Sequence, residues 1–168
     1  LFRYIDLKNI YLEDPQHRTI LDLKHLYVGL DQFKLFQNRL WIDELHLNEG
    51  VIHLSRSVKD GSTNIDFLVD YFSSGKARQA STPFEVRLSK LSLSKLALTY
   101  HDFRRGTKDF GIDYDHLELL QINLEATQIQ SIGSVFKCQL KDLRFKEKSG
   151  FLLQGMNANV HYSPHGLF

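Results

Sequence analysis

The chain has 168 residues, the size of one ordinary domain, and its 42% hydrophobic and 24% charged content is that of a folded rather than a disordered polypeptide. With 21 basic and 20 acidic side chains interspersed, the net charge is only +1, so no surface field gathers phosphates and a nucleic-acid partner is not expected. The single cysteine, Cys138, rules out an intrachain disulfide, and no apolar run approaches the roughly 20 residues of a membrane-spanning helix.

In chain order, the first expected strand covers 3–13 and carries Ile5, Leu7, Ile10 and Leu12: two apolar residues one apart, two spacers, then a second such pair. A turn at Asp14-Pro15 leads to a strand at 19–30, which repeats the arrangement with Leu21, Leu23, Leu26 and Val28. The third copy, Leu40, Ile42, Leu45 and Leu47, lies in a strand at 38–47, and the turn signal Asn48-Glu49-Gly50 separates it from a short strand at 50–56. Beyond Asp60-Gly61, the residues Ile65, Leu68, Val69 and Phe72 fall at i, i+3, i+4 and i+7. This spacing predicts an amphipathic helix over 64–73, capped by Thr63 or Asn64. The small polar stretch at 74–83 reads as a flexible linker.

Strands then follow at 84–93 (Val86, Leu88, Leu91, Leu93), 95–102, 115–126 (Leu117, Leu119, Ile122, Leu124), 134–146 (Cys138, Leu140, Leu143, Phe145) and 150–162. Arg105-Gly106, Lys148-Ser149-Gly150 and Ser163-Pro164 mark turns, and the succession reads as an antiparallel meander.

Six copies of one apolar arrangement determine the class. On a helix, at about 100° per residue, the four side chains would point to nearly opposite sides, so no stripe would form. In a strand each pair shares a face, and one extra residue between the pairs restores the phase if it is taken up as a β-bulge. In the fifth copy that bulge falls near Leu120 and Gln121. The copies begin at irregular intervals, which excludes the nearly constant repeat of a leucine-rich solenoid despite the cadence IDELHLNEG. The fold expected is mostly β, with one oily and one wet face and a single short helix.

One helix of two or three turns cannot cover so much apolar sheet. The sheet therefore either folds on itself as a sandwich or closed barrel, or is strongly curved with an open apolar trough. A fragment of an outer-membrane β-barrel would turn the apolar face outward, but aromatic girdles are not evident.

The runs IDLKNIYLEDPQHRTILDLKHLYVGL, NRLWIDELHLNEGVIHLSR, DGSTNIDFLVDYF and FEVRLSKLSLSKLALTYHD resemble the amino-terminal part of TamB proteins of the AsmA-like superfamily, especially those of Bacteroidetes. The matching positions are Glu13-Asp14, Ile42 to Arg56, Asp60-Gly61 with Asn64 to Phe72, and Leu96 to Asp102, and the likeness covers most of residues 1–126. It implies a curved antiparallel β-groove, the β-taco or repeating β-groove, in a periplasmic protein anchored in the inner membrane. It further implies conduction of phospholipid acyl chains toward the outer membrane or support of outer-membrane protein assembly and secretion with an Omp85-class partner, through regions outside residues 1–168. The groove lining would be the apolar set above, and Ile65, Leu68, Val69 and Phe72 would form a helical lid. Because Leu1 already lies in a strand-like pattern, the sequence reads as one continuous excerpt of a longer chain.

Enzymatic, metal or cofactor chemistry is not expected. His161 and His165 are separated by Pro164, which prevents a helical i, i+4 ligand pair, and His101-Asp102 and Asp113 to His116 lack a nucleophile elbow or phosphate loop. FRRGTKDF and RFKEKSG, mixed in sign, read as solvated hairpin ends, with contact to acidic headgroups the lesser alternative, and Trp41, Tyr11 and Tyr27 fall between apolar positions and point outward. A ligand-free structural sandwich or adhesin-like module is the competing functional reading.

Overall fold

A computed structural model describes residues 4–30, 39–68 and 85–163. They form one open, antiparallel-rich sheet with almost no helix. Its strands are β1 (Tyr4–Glu13), β2 (Thr19–Gly29), β3 (Arg39–Arg56), β4 (Glu85–Asp102), β5 (His116–Ile132), β6 (Val135–Glu147), β7 (Leu152–Leu153) and β8 (Ala158–Tyr162). Strands β1 to β7 lie side by side in sequence order, and β8 pairs with β6 beyond β7. Among the described residues each strand touches only its hydrogen-bonded neighbours, so the sheet is neither a sandwich nor a closed barrel.

The pairing departs from an antiparallel meander at one place: β3 and β4 run parallel, Arg39 opposite Glu85 through to Arg56 opposite Asp102. Parallel neighbours require a crossover, because the second strand begins at the end of the sheet opposite to where the first stops. The expected helix falls in that crossover. Its first residues, Asp66–Leu68, are helical. Thr63 is the cap: its backbone N–H and hydroxyl both donate to the Asp66 carboxylate. Asn64 instead is buried, accepting from the Ser55 N–H and donating to the His53 carbonyl, so it ties the crossover to β3. Val69, Phe72 and the linker at 74–83 lie outside the described residues.

One expected turn, one expected break between strands and one continuous strand are corrected. Asn48-Glu49-Gly50 does not separate two strands, and 84–93 and 95–102 are also one; β3 and β4 each run for 18 residues. The final strand at 150–162 is instead the pair β7 and β8 with a non-strand stretch between them. What looked like chain reversal at 48–50 is a kink within the strand. Glu49 has φ 58° and Lys95 φ 53°, the left-handed region that non-glycine residues enter at single positions only.

These kinks are aligned. Asn9 (φ 53°) lies opposite Lys24, Lys24 opposite Glu49, Glu49 beside Lys95, and Lys95 next to the gap in pairing that holds Gln121 (φ 55°). The ladder skips this row on β1 through β5, which makes one crease running across the strands. A second interruption crosses Asp43, Ser89, Gln128 (φ 54°) and Cys138, and Asp142 (φ 52°) adds a bulge in β6. The bulge expected near Leu120 and Gln121 is present, with the β5–β6 register shifting between Leu120 and Asn123.

Each kink resets the side-chain phase. Leu93 and Leu96, three apart, Leu119 and Ile122, three apart, and Leu47 and Ile52, five apart, would face opposite sides of regular strands, yet all pack into one cluster. In β3 the apolar slot next to the crease is taken by Gly50, and Leu23 of β2 lies over it. A Cβ at Gly50 would sit 2.1 Å from the Asp22 carbonyl oxygen and 2.8 Å from Leu23 Cδ2. Backbone leaves no room there, so Gly50→Ala is expected to destabilise the fold by about 1–3 kcal/mol in urea unfolding. At the crease itself, Gln121→Gly should be neutral or stabilising and Gln121→Val should cost about 1–2 kcal/mol, since a β-branched residue resists positive φ.

Candidate functional site

The crease gives the apolar face its depth. Leu23, Leu96 and Ile122, which flank it, are 0%, 1% and 6% exposed although no second layer covers them among the described residues. On a flat single sheet these side chains would stand in water; their burial requires the strands to bend so that Leu21, Leu26, Leu47, Ile52, Leu93, Leu98, Leu119, Leu143 and Phe145 close around them. Leu88, Ala126 and Cys138 are buried beside the second interruption. The face is thus deepest along the creases and opens toward the strand ends.

The remaining lining positions lie on the flanks. Ile10, Leu12, Val28, Ile42, Leu45, Val86, Leu91, Leu117, Leu124 and Leu140 are half-buried, while Ile5 and Leu7 on the edge strand β1 are 42% and 44% exposed. Ile65 and Leu68 are half-buried; Val69 and Phe72 are not described. Sequence reading missed Ile52, Leu96, Leu98 and Ala126 because it ended the third, fourth and fifth copies at Leu47, Leu93 and Leu124. The signal was available: Leu91, Leu93, Leu96 and Leu98 form a further overlapping copy of the same arrangement.

The other face is polar and cross-linked. Lys24 pairs with Glu49 across β2 and β3, His25 with Asp6, and Lys148 with Glu118. The Arg87 guanidinium sits 4.9 Å from the Trp41 ring, and Tyr27 stacks on Tyr4 at 5.7 Å and meets His46 edge-on at 5.2 Å. Tyr11 donates to Glu13. Trp41, Tyr11 and Tyr27 therefore belong to the wet face, packed beside charged groups in the manner of long amphipathic side chains.

Carboxylates pin the strand ends. Asp14 is 3% exposed and accepts from the Gln16 and Arg18 N–H groups and from Arg18 Nε at 2.6 Å, closing the β1–β2 turn. Asp102 ends β4 and is gripped by Arg104 through Nε at 2.8 Å and Nη2 at 2.6 Å. Glu147 accepts from Ser149 at the end of β6. The histidines near these ends make local contacts: His101 and His116 face each other across β4 and β5 at 5.8 Å, and His116 Nδ1 is 3.2 Å from Asp113. No group of three or more side chains able to hold a metal occurs among the described residues. Comparison with protein-family models, curated proteins and solved structures finds no match.

The Arg104 side chain, and secondarily its backbone N–H and the charge of Arg56, hold the Asp102 carboxyl well below the usual carboxylate range. A depressed native pKa means that the unfolded chain binds the proton first, so this contribution is complete above the ordinary value of about 4 and is lost as pH falls toward the native value. Melting temperature measured from pH 7 down to pH 2 should fall in acid, and Asp102→Asn should lower it at pH 7 while flattening the acid limb. Leu96→Ala, which empties the bottom of the bend, is expected to destabilise by about 2–5 kcal/mol.

Proposed function

We propose that this chain is a lipid-binding segment of a TamB-like, AsmA-superfamily protein of the periplasm, holding phospholipid acyl chains along the apolar face of its sheet. The observation that carries the reading is the pairing of a continuous in-phase apolar face, uncovered by a second layer among the described residues, with an opposite face closed by ion pairs. A soluble protein seldom leaves so large an apolar surface without a partner. The sequence resemblance supplies the family and the compartment.

Such a face suits acyl chains because it offers area without polar specificity. Each methylene taken from water is worth about 0.8 kcal/mol, and a chain held by area alone slides along the lining without breaking a directional bond. On this reading the crease is the floor and the flanking leucines are the walls. An Omp85-class partner would be met by other parts of the protein.

The test is direct. Organic extracts of the purified chain, analysed by mass spectrometry, should contain phospholipid; a clean extract from folded, monomeric protein favours the ligand-free structural module. A photo-crosslinking residue placed at each position from 117 to 124 in cells should give lipid adducts at 117, 119, 122 and 124 and none at 118 or 123. Leu119→Asp should abolish binding while Glu118→Lys leaves it intact, since a charge in the trough is desolvated at a cost of several kcal/mol. Equal effects of the two substitutions would overturn the assignment.

A further inference from the structure

The ends of β3 and β4 lie side by side because these strands are parallel, and the loops that follow them leave the same end of the sheet together. The Phe103 N–H donates to the Arg56 carbonyl, and Gly61 lies against the Arg104 guanidinium. Four large apolar side chains stand out from these two loops. Phe110 is 93% exposed, and Val58, Phe103 and Tyr114 are each at least half exposed.

The charges around them are sorted by depth. Asp102 is held by Arg104, Asp113 accepts the backbone N–H groups of Lys108, Asp115 and His116, and Asp60 accepts from Ser62. The Asp102 and Asp113 side chains are only 6% and 13% exposed. Lys59, Arg105 and Lys108 are exposed and make no ion pair with the described residues, and Lys108 Nζ lies 5.8 Å from the Tyr114 ring centroid. Asp60 and Asp109 are the exposed acids beside them. Turn formation has drawn Asp102 and Asp113 inward and left three cations and the aromatic rings outward, against two exposed acids.

We infer that this end of the sheet docks on a phospholipid bilayer, with Phe110, Phe103, Tyr114 and Val58 entering the interfacial zone and Lys59, Arg105 and Lys108 meeting lipid phosphates. Aromatic rings beside basic groups suit that zone, where one end of a side chain is apolar and the other wet. The inference rests on the acyl-chain reading of the apolar face, for which docking gives the place of lipid entry or exit. Because the loops continue β3 and β4, lipid leaving the bilayer at Phe110 would meet the flanks of the trough directly.

The test uses the full chain with Cys138→Ser and an environment-sensitive fluorophore on a cysteine introduced as Phe110→Cys. Mixing with phosphatidylcholine vesicles containing phosphatidylglycerol should shift its emission to the blue, and more weakly with phosphatidylcholine alone. The same label introduced as Lys137→Cys, in β6 near the opposite end of the sheet, should not respond. In vesicle co-sedimentation Phe110→Ser should weaken binding by about tenfold or more. An unresponsive label at 110, equal responses at 110 and 137, or unchanged co-sedimentation of Phe110→Ser would each overturn the inference, leaving the patch to a protein partner. Lipid in the extract with no response at 110 refutes only the docking end; a response at 110 with a clean extract refutes only the trough.

Discussion

Everything distinctive in this structure depends on single residues held at positive φ within long strands. A regular strand alternates its faces without exception, so an apolar pattern with odd spacings would scatter oil onto both sides of a sheet. Asn9, Glu49, Lys95 and Gln121 each absorb one residue of phase. Their alignment across neighbouring strands converts local bulges into a crease. Strain at one strand alone would be relieved by slippage; repeated at the same row on adjacent strands, it fixes both register and bend.

Bending explains the burial pattern. A single sheet has no opposing layer to dry its face, yet Leu23 and Leu96 are sealed from solvent. Sealing comes from the sheet's own flanks, brought together by the bend, and Gly50 allows Leu23 to settle against the backbone where a side chain would have intruded. The polar face follows the opposite logic. It is convex, open to water, and held by cross-strand pairs that are individually weak but number several along the strands.

Function, on the reading proposed, uses the geometry that makes the fold unusual. A sandwich would bury its apolar faces against each other and have nothing left to bind. A bent single sheet keeps a continuous apolar surface available, deepest at its floor and open along the strand ends where the exposed aromatic loops stand.

By itself the sequence determined the class and the face. The repeated apolar arrangement excluded helices, required bulges, and placed Leu21, Leu23, Leu119, Ile122, Leu143 and Phe145 on one side, because side-chain alternation is a local property of backbone geometry. It misread Asn48-Glu49-Gly50 as a reversal, since residues that favour turns also favour the positive φ of a kink inside a strand. The parallel pairing of β3 and β4 was not legible, because strand direction is set by where the crossover returns and no periodicity in either strand records it. Whether the oily face would be covered by a second layer or by its own curvature was likewise left to tertiary structure. That choice depends on the alignment of kinks between strands far apart in sequence, a relation that exists only once the register of the whole sheet is formed.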